Sequence, residues 1–356
     1  MINSFSINSF RGIRGLNINK LKRVNLILGD NNCGKTSILE ALFLLRNVSD
    51  FSNVIKASRL RKNPSETAYE DFIYMFPSNS SLMNIAVSAT TDTGKMSFDL
   101  SGKQHRVLLD ESDLRNSPYY KKKNKDMETD EFKGKLRYEC SGRKGASDIR
   151  YNPFISVSGA VLNRNRQLNM VYLSPDSHFS GSIINNIVGN NAYKEICLNA
   201  LRLFDPDIVD MMILKSSLGS IPVEYLKHKA LGNMPLSTFG DGIKKVLVLS
   251  NAIVQSAGGI LLIDEVETSI HKKYYDDIFR FLIKVCEAYN VQLFVTTHSM
   301  EAIDAILGTQ DYDKQTEADI INVVTVKNHE GLSVCRVLDG REVYQDRRSF
   351  GFEVRL

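Results

Sequence analysis

Residues 23–36 read Arg23-Val24-Asn25-Leu26-Ile27-Leu28-Gly29-Asp30-Asn31-Asn32-Cys33-Gly34-Lys35-Thr36, and the fold is decided there. The run from Arg23 to Leu28 is short and apolar and stops at a glycine, the pattern of a buried strand ended by a loop. The next eight residues satisfy GxxxxGK[ST] in full. A helical pattern follows at once, with Ile38, Leu39, Ala41, Leu42 and Leu45 on a broad apolar face. Strand, glycine-containing loop and helix is the context in which this motif binds phosphate. Glycines let the backbone curl until successive N–H groups point at one anion, and the helix N-terminus adds positive potential. The residues expected around the phosphates are Gly29, Asn31, Asn32, Cys33, Gly34, Lys35, Thr36 and Ser37. Lys35 would reach the β and γ phosphates, and the Thr36 hydroxyl would ligate Mg²⁺.

The rest of the composition is globular. The chain has 356 residues, 43% of them hydrophobic and 24% charged, which is length for about two domains and a sizeable core. Disorder throughout is excluded. The formal net charge of +4 admits contact with DNA without arguing for it. The five cysteines (Cys33, Cys140, Cys197, Cys286, Cys335) are odd in number and form no CxxC pair. Neither a disulfide framework nor a zinc ribbon is expected, and a reducing cytoplasm fits. No apolar run approaches the roughly 18–20 residues of a membrane span, and the N-terminus lacks a signal-peptide core. A soluble cytoplasmic protein without a membrane partner is expected.

Along the chain, strands alternate with helices. Ile2–Phe10 reads as a strand. From about residue 50 to 165, Ser, Asn, Lys and Thr are frequent and periodicity is weak. Strand-like pieces occur at 82–89 and 96–100. The Lys-rich stretch 120–137 reads as a solvated loop or helix face, because acids at 126, 128, 130 and 131 offset its lysines. Order returns with a strand at Met170–Leu173, helices over 185–204 and 240–255, and a buried strand at Ile260–Ile263. A helix over 272–289, a buried strand over 291–297 and a short helix at Met300–Leu307 follow. Segments 320–327 and 332–338 flank a Glu330-Gly331 turn as a hairpin. This alternation predicts an α/β layer with a mainly parallel sheet.

Three more motifs lie at the ends of these elements. Ile260-Leu261-Leu262-Ile263-Asp264-Glu265 delivers two carboxylates to the C-terminal end of a buried strand, the edge where open α/β sheets bind ligands. Asp264 would hold Mg²⁺ through water, and Glu265 would orient or deprotonate an attacking water. Val295-Thr296-Thr297-His298-Ser299 ends another buried strand in a histidine placed to sense a γ-phosphate. Leu236-Ser237-Thr238-Phe239-Gly240-Asp241-Gly242 opens a helix with a serine and two glycines, a second anion-binding turn.

The order of these four motifs resembles that of ABC-type ATPases. The likeness is to the RecF/SMC-like branch, and most closely to the OLD-like AAA ATPases of bacterial defence and repair systems. It runs over roughly residues 1–50 and 170–310. Supporting residues are Asn8-Ser9-Phe10-Arg11-Gly12, Val24-Asn25-Leu26, and Asp264-Glu265-Val266-Glu267 followed by Ile270-His271. The last group is similar to the DE-x-E-x-x-[LI]-H stretch of that family.

The resemblance implies a P-loop NTPase head of ABC type over 1–50 and 166–356. It would have a mainly parallel sheet and an N-terminal antiparallel β portion, with 51–165 as an inserted α+β or arm-like subdomain. It implies ATP hydrolysis with ATP and Mg²⁺ as cofactors, Glu265 and His298 as catalytic residues, and Thr36 and Asp264 at the metal. It implies a homodimer or higher homo-oligomer in which ATP lies between the P-loop of one subunit and Ser237, Gly240 and Gly242 of the other. Glu267 and His271 would lie in the D-loop that crosses to the partner. The signature departs from the LSGGQ of transporters. Segment 172–178, the place for a Q-loop, contains no glutamine. No extended heptad arm is present. OLD proteins carry a TOPRIM nuclease after the ATPase. Here the chain after His298 is short, and Asp311-Tyr312-Asp313 reads as a solvated loop. The expectation is an ATPase that senses or scaffolds in antiphage defence and regulates a separately encoded effector, a nuclease among the options. Two readings stay open beside it: a RecF-like repair clamp on DNA, and a module that holds ATP as a scaffold with negligible turnover. The loop itself does not separate ATP from GTP.

Overall fold

The computed structural model describes residues 1–61, 67–77, 83–109, 127–154, 168–179, 183–215, 222–312, 318–329, 332–351 and 353–354. In chain order the strands are β1 (Ile2–Phe10), β2 (Ile13–Ile18), β3 (Val24–Leu28), β4 (Met83–Thr91), β5 (Gly94–Leu109), β6 (Met127–Cys140) and β7 (Arg143–Tyr151). Then come β8 (Met170–Leu173), β9 (Ile208–Lys215), β10 (Pro222–His228), β11 (Gly232–Pro235), β12 (Ile260–Ile263), β13 (Gln292–Thr296), β14 (Ile321–His329) and β15 (Leu332–Asp339). The chain forms two compact units, one of Met1–Leu21, Gly29–Leu168 and Thr325–Val337, the other of Lys22–Leu28, Asn169–Val324 and Leu338–Leu356.

The first unit is built on an antiparallel sheet of order β2-β1-β4-β5-β6-β7. The strands of 51–165 therefore share one sheet with the N-terminal strands. Alternation sets its two faces. Phe98, Leu100, Leu136 and Ile149 point inward and are buried, while Lys103, Lys133 and Arg150, which stand opposite one another, point outward. This corrects the reading of 120–137: residues from 127 onward lie in β6, and 120–126 fall outside the described residues. The inward Phe132 and Leu136 carry the strand, and the lysines only decorate its other face. Gly102 and Gly134 face each other, and a side chain at either would collide with the opposite backbone and the Phe132 ring. Helix Phe51–Ser58, capped by Asp50, and helix Ala68–Ile73, with a Thr67/Glu70 capping box, cover the inner face. Phe51, Phe72, Phe76, Phe132 and Tyr151 pack there edge to face, with the Phe72 and Phe132 centroids 5.1 Å apart.

The second unit holds the parallel core. Its strand order is β14-β3-β13-β12-β8. The register runs Leu26 beside Val295, Leu262 beside Phe294 and Ile263 beside Leu173, all parallel. Every residue of β12 is buried, as a parallel strand covered on both faces requires. Helices Asn191–Arg202, Asp241–Gln255, Tyr275–Ala288 and Met300–Leu307 supply the cover. β15 pairs beside β14 as the sixth strand of the same sheet. The expected turn at 330–331 lies outside the described residues.

Three expectations need correction. The helix over 185–204 is two helices, Asn185–Val188 and Asn191–Arg202. Asn190 is extended between them, and its side chain accepts from Ala192 N at 3.0 Å and Tyr193 N at 3.2 Å, so it starts a new helix. The helix over 272–289 opens as a 3-10 turn, Lys272–Tyr274, before Tyr275–Ala288. The tail does not end in a hairpin, because helix Gly340–Phe350 follows β15. No helix among the described residues is long and apolar enough to cross a membrane.

Candidate functional site

The phosphate-binding loop curls through Gly29 (φ 144°), Asn32 (φ 63°) and Gly34 (φ 100°), all in the left-handed region. A side chain at Gly29 would run into the Val326 carbonyl, and one at Gly34 into Ile13. Lys35 folds back over the curl. Its Nζ donates to the Gly29 and Asp30 carbonyls, both at 2.8 Å, and lies 3.9 Å from Cys33 Sγ. Helix Lys35–Leu44 starts at Gly34 with no side-chain cap and no acid in its first turn, so nothing cancels its N-terminal potential. This is a cradle for an anion. Asn31 and Asn32 are exposed, Thr36 is half-buried and Cys33 is buried. Burial raises the Cys33 thiol above its ordinary pKa, against the pull of Lys35. Ser37 is buried, and its hydroxyl accepts from Arg61 Nη2 at 3.1 Å.

The acid pair stands at the C-terminal end of β12. Thr296, at the end of the neighbouring β13, organises both residues with one hydroxyl. Its Oγ1 donates to Asp264 Oδ1 at 2.6 Å and accepts from Glu265 N at 2.8 Å. Tyr172 Oη adds a bond to Asp264 Oδ2 at 3.4 Å. Asp264 is 4% exposed. Glu265 takes φ 47°, a costly conformation for this residue, and its carboxylate is turned outward. Thr268 Oγ1 donates to Glu265 Oε2 at 3.3 Å, and His298 Nε2 lies 3.9 Å from Glu265 Oε1. One acid is sequestered and the other presented, with the histidine beside it.

Behind this pair, Glu267 Oε1 accepts from the His298 backbone N–H at 2.7 Å. Lys245, fully buried in helix Asp241–Gln255, donates to the Pro175 carbonyl at 3.0 Å. Burial lowers its ammonium to about 8, opposed by the charges of Glu267, Asp176, Asp264 and Glu265.

The serine and glycines of the second anion-binding turn part company. Ser237 is exposed in a 3-10 turn, Leu236–Thr238, and Gly240 is the exposed N-cap of helix Asp241–Gln255. Gly242 is the close approach, since a Cβ there would lie 3.2 Å from the Ser269 carbonyl. Ser237 also borders a cavity of about 450 Å³ with His178, Phe179, Glu224 and Lys244. His271 is exposed and accepts from Lys273 N at 3.3 Å as the cap of the next 3-10 turn. Segment 172–178, without a glutamine, still serves the site. Tyr172 meets Asp264, the Pro175 carbonyl meets Lys245, and His178 Nε2 lies 3.1 Å from Ser269 Oγ. Of the Asp311/Asp313 pair, Asp313 lies outside the described residues.

The family model described as "AAA domain, putative AbiEii toxin, Type IV TA system" matches residues 24–304. The chain belongs to this AAA family. An ATP/GTP phosphatase of Helicobacter pylori is 24% identical over 370 residues, covering 89% of this chain and 91% of that protein. The DNA replication and repair protein RecF of Pseudoalteromonas translucida is 25% identical over 116 residues, 32% of this chain and 30% of RecF. Among solved structures, the SMC head bound to the C-winged helix domain of ScpA superposes with TM-score 0.54 at 15% identity, over 96% of this chain and 99% of that one. A Smc head domain with an extended coiled coil, bound to the C-terminal domain of ScpA derived from Pyrococcus furiosus, gives TM-score 0.53 at 12% identity over 99% of each chain. The fold is that of an ABC-type P-loop head, and the protein is an ATP hydrolase.

Several residues of this ATPase's site escaped the sequence reading. Thr296 is the clearest. Its signal was a hydroxyl inside an otherwise apolar strand, which needs a partner once buried. Lys245 carried the same kind of signal, as a lysine among the buried Val246, Leu249 and Ala252. Tyr172 lay in the segment singled out for a Q-loop, without a signal for its bond to Asp264, and the ties of Arg11 and Arg61 to the fully buried Glu40, at 2.8 and 2.6 Å, had none. Asp205, Asp207 and His228 also cluster, but His228 Nδ1 accepts from Ala230 N and Leu231 N. That leaves the proton on Nε2, which faces Asp205 at 3.3 Å. A nitrogen carrying its proton is no metal ligand.

Proposed function

We propose that two copies of this ATPase close head to tail on ATP, and that the closed form regulates a separately encoded effector in antiphage defence. The observation that carries the hydrolytic part is the presented Glu265. It is held in a left-handed conformation by Thr296, with its carboxylate 3.9 Å from His298. In this reading Lys35 exchanges its two loop carbonyls for β- and γ-phosphate oxygens. The loop amides from Gly29 to Thr36, with Ser37 behind them, complete the cradle. Thr36 and Asp264 are the oxygen donors that would hold Mg²⁺, a hard set that suits that ion. Bound there, the ion would neutralise charge on the phosphates. Glu265 orients the attacking water and accepts its proton, and His298 steadies the γ-phosphate. Ser237, Gly240 and Gly242 of the second copy close the other side, with Glu267 and His271 in the segment at the seam.

Support for the defence role comes from the matched family, whose description names the AbiEii toxin and a type IV TA system. The Helicobacter pylori relative, named for both ATP and GTP, supports GTP as a second candidate substrate. A RecF-like clamp on DNA is the second reading, favoured by the RecF match. Steeply salt-dependent duplex binding would select it.

The deciding experiment is the solution mass of Glu265→Gln with and without Mg-ATP. A monomer that becomes a dimer only with Mg-ATP is the expected result. An unchanged mass together with wild-type hydrolysis would sink both the sandwich and the role of Glu265.

A further inference from the structure

Glu267 follows the acid pair in a segment expected to face a second subunit, yet its carboxylate is turned onto its own chain. Oε1 accepts the His298 backbone N–H at 2.7 Å, and Oε2 is buried with no hydrogen-bond partner among the described residues. A buried carboxylate oxygen without a donor is costly unless a cation compensates its charge. Lys245 supplies positive charge from beyond ion-pair distance, its own ammonium bonding the Pro175 carbonyl at 3.0 Å. It is fully buried on the helix that begins at the signature glycines, and Glu267 is the carboxylate that acts most strongly on it. The same helix meets the acid loop a second time where Gly242 packs on the Ser269 carbonyl. Helix start, acid loop and histidine are thus tied in series within one unit.

We propose that Glu267 is a positioning residue acting in cis: its carboxylate fixes the backbone of His298, so that a shift of helix Asp241–Gln255, which packs through Gly242 on the Ser269 carbonyl, is passed through the acid loop to that histidine. The proposal rests on the role given to His298 above. Its physical basis is twofold. A charge-assisted N–H bond to a carboxylate is short and directional. Lys245 offsets, at longer range, the charge of the half-buried Glu267.

The test compares Glu267→Gln, Lys245→Met and the double variant, with two readouts. Amide hydrogen exchange over 295–299 reports the His298 backbone directly. Steady-state ATP hydrolysis reports its consequence. Glu267→Gln should speed exchange at His298 and lower kcat roughly tenfold with KM for ATP unchanged, as expected when the acceptor of a charge-assisted bond becomes neutral. Lys245→Met should act in the same direction, and the double variant should be no worse than the weaker single. Wild-type exchange in folded Glu267→Gln, or single losses that multiply in the double, would overturn the proposal. Glu267→Asp, which keeps the charge but shortens the reach, serves the same test should the amide variant not fold. His298→Ala separates the two readings. Wild-type turnover there removes the role of His298, while exchange and coupling still decide whether Glu267 holds it.

Discussion

Thr296 shows how much of the site depends on a single hydroxyl. It gives its proton to Asp264 and takes one from the Glu265 amide, so it fixes one acid and sets the backbone of the other. Thr296→Val keeps the shape and removes both bonds. We expect a stability loss of about 1–3 kcal/mol, the cost of leaving buried groups unsatisfied, together with a fall in kcat that Thr296→Ser restores. Urea unfolding and steady-state hydrolysis check the two halves. Equal activity in Val and Ser variants would show that Glu265 holds its conformation without Thr296. Glu265→Gln should lower hydrolysis by about 100-fold or more, the usual worth of a general base, while nucleotide binding persists. Lys35→Ala should abolish binding, as read by nucleotide titration. His298→Ala should slow turnover more than it weakens binding, and equal loss in both would make it a structural residue. The positions of Asp264, Glu265 and His298 just past strand ends were legible because each follows an apolar run. Thr296 was not, because the groups it serves come from another strand, 32 residues away for Asp264.

Elements were legible where one physical pattern dominated. The buried strands β3, β12 and β13 read as continuous apolar runs, and helix Met300–Leu307 was placed to the residue. β6 was hidden because its outward lysines masked a period-two pattern. Helix Gly340–Phe350 was hidden because only Gly340 and Val343 are buried, leaving no apolar stripe to read. The hairpins of β9, β10 and β11 bury little, with burial confined to Ile208, Met211 and Leu226. Ties between elements were the least visible. Glu40, fully buried in the helix after the phosphate loop, binds Arg11 from the β1–β2 turn and Arg61 from beyond helix Phe51–Ser58. Glu40→Ala would leave the Arg11 guanidinium buried without its partner. Removing one member of a buried pair costs about 3–5 kcal/mol, and the half-exposed Arg61 adds little to that. We expect urea midpoints to fall accordingly. Because Ser37 also bonds Arg61, affinity for nucleotide should fall with them. An unchanged midpoint would mean that Arg11 finds solvent when its partner is lost.

At the scale of the whole molecule, the buried ionisable groups set how stability depends on pH. Burial holds Lys245 at about 8 instead of 10.5. Between those values the fold has released a proton that the unfolded chain still carries, so stability rises with pH across that window. Burial pushes Cys197 and Cys286 from 9.0 to about 12. Their contribution is complete below 9 and is lost as pH climbs toward 12, because the unfolded thiols ionise first. Each group contributes a slope of about 1.4 kcal/mol per pH unit inside its window. One lysine acts alone between 8 and 9. Above 9 the two thiols outweigh it, and Tyr151, raised from 10.0 to about 12, joins them from 10 upward. The melting temperature of the reduced protein should therefore rise from pH 8 to a maximum near 9 and then fall. Lys245→Met should lose the rise and keep the fall. Cys197→Ala with Cys286→Ala should melt lower everywhere, from lost packing, but with a shallower alkaline decline. A wild-type melting temperature that falls steadily from pH 7 would mean that Glu267 and its neighbouring carboxylates fully offset the burial of the Lys245 ammonium.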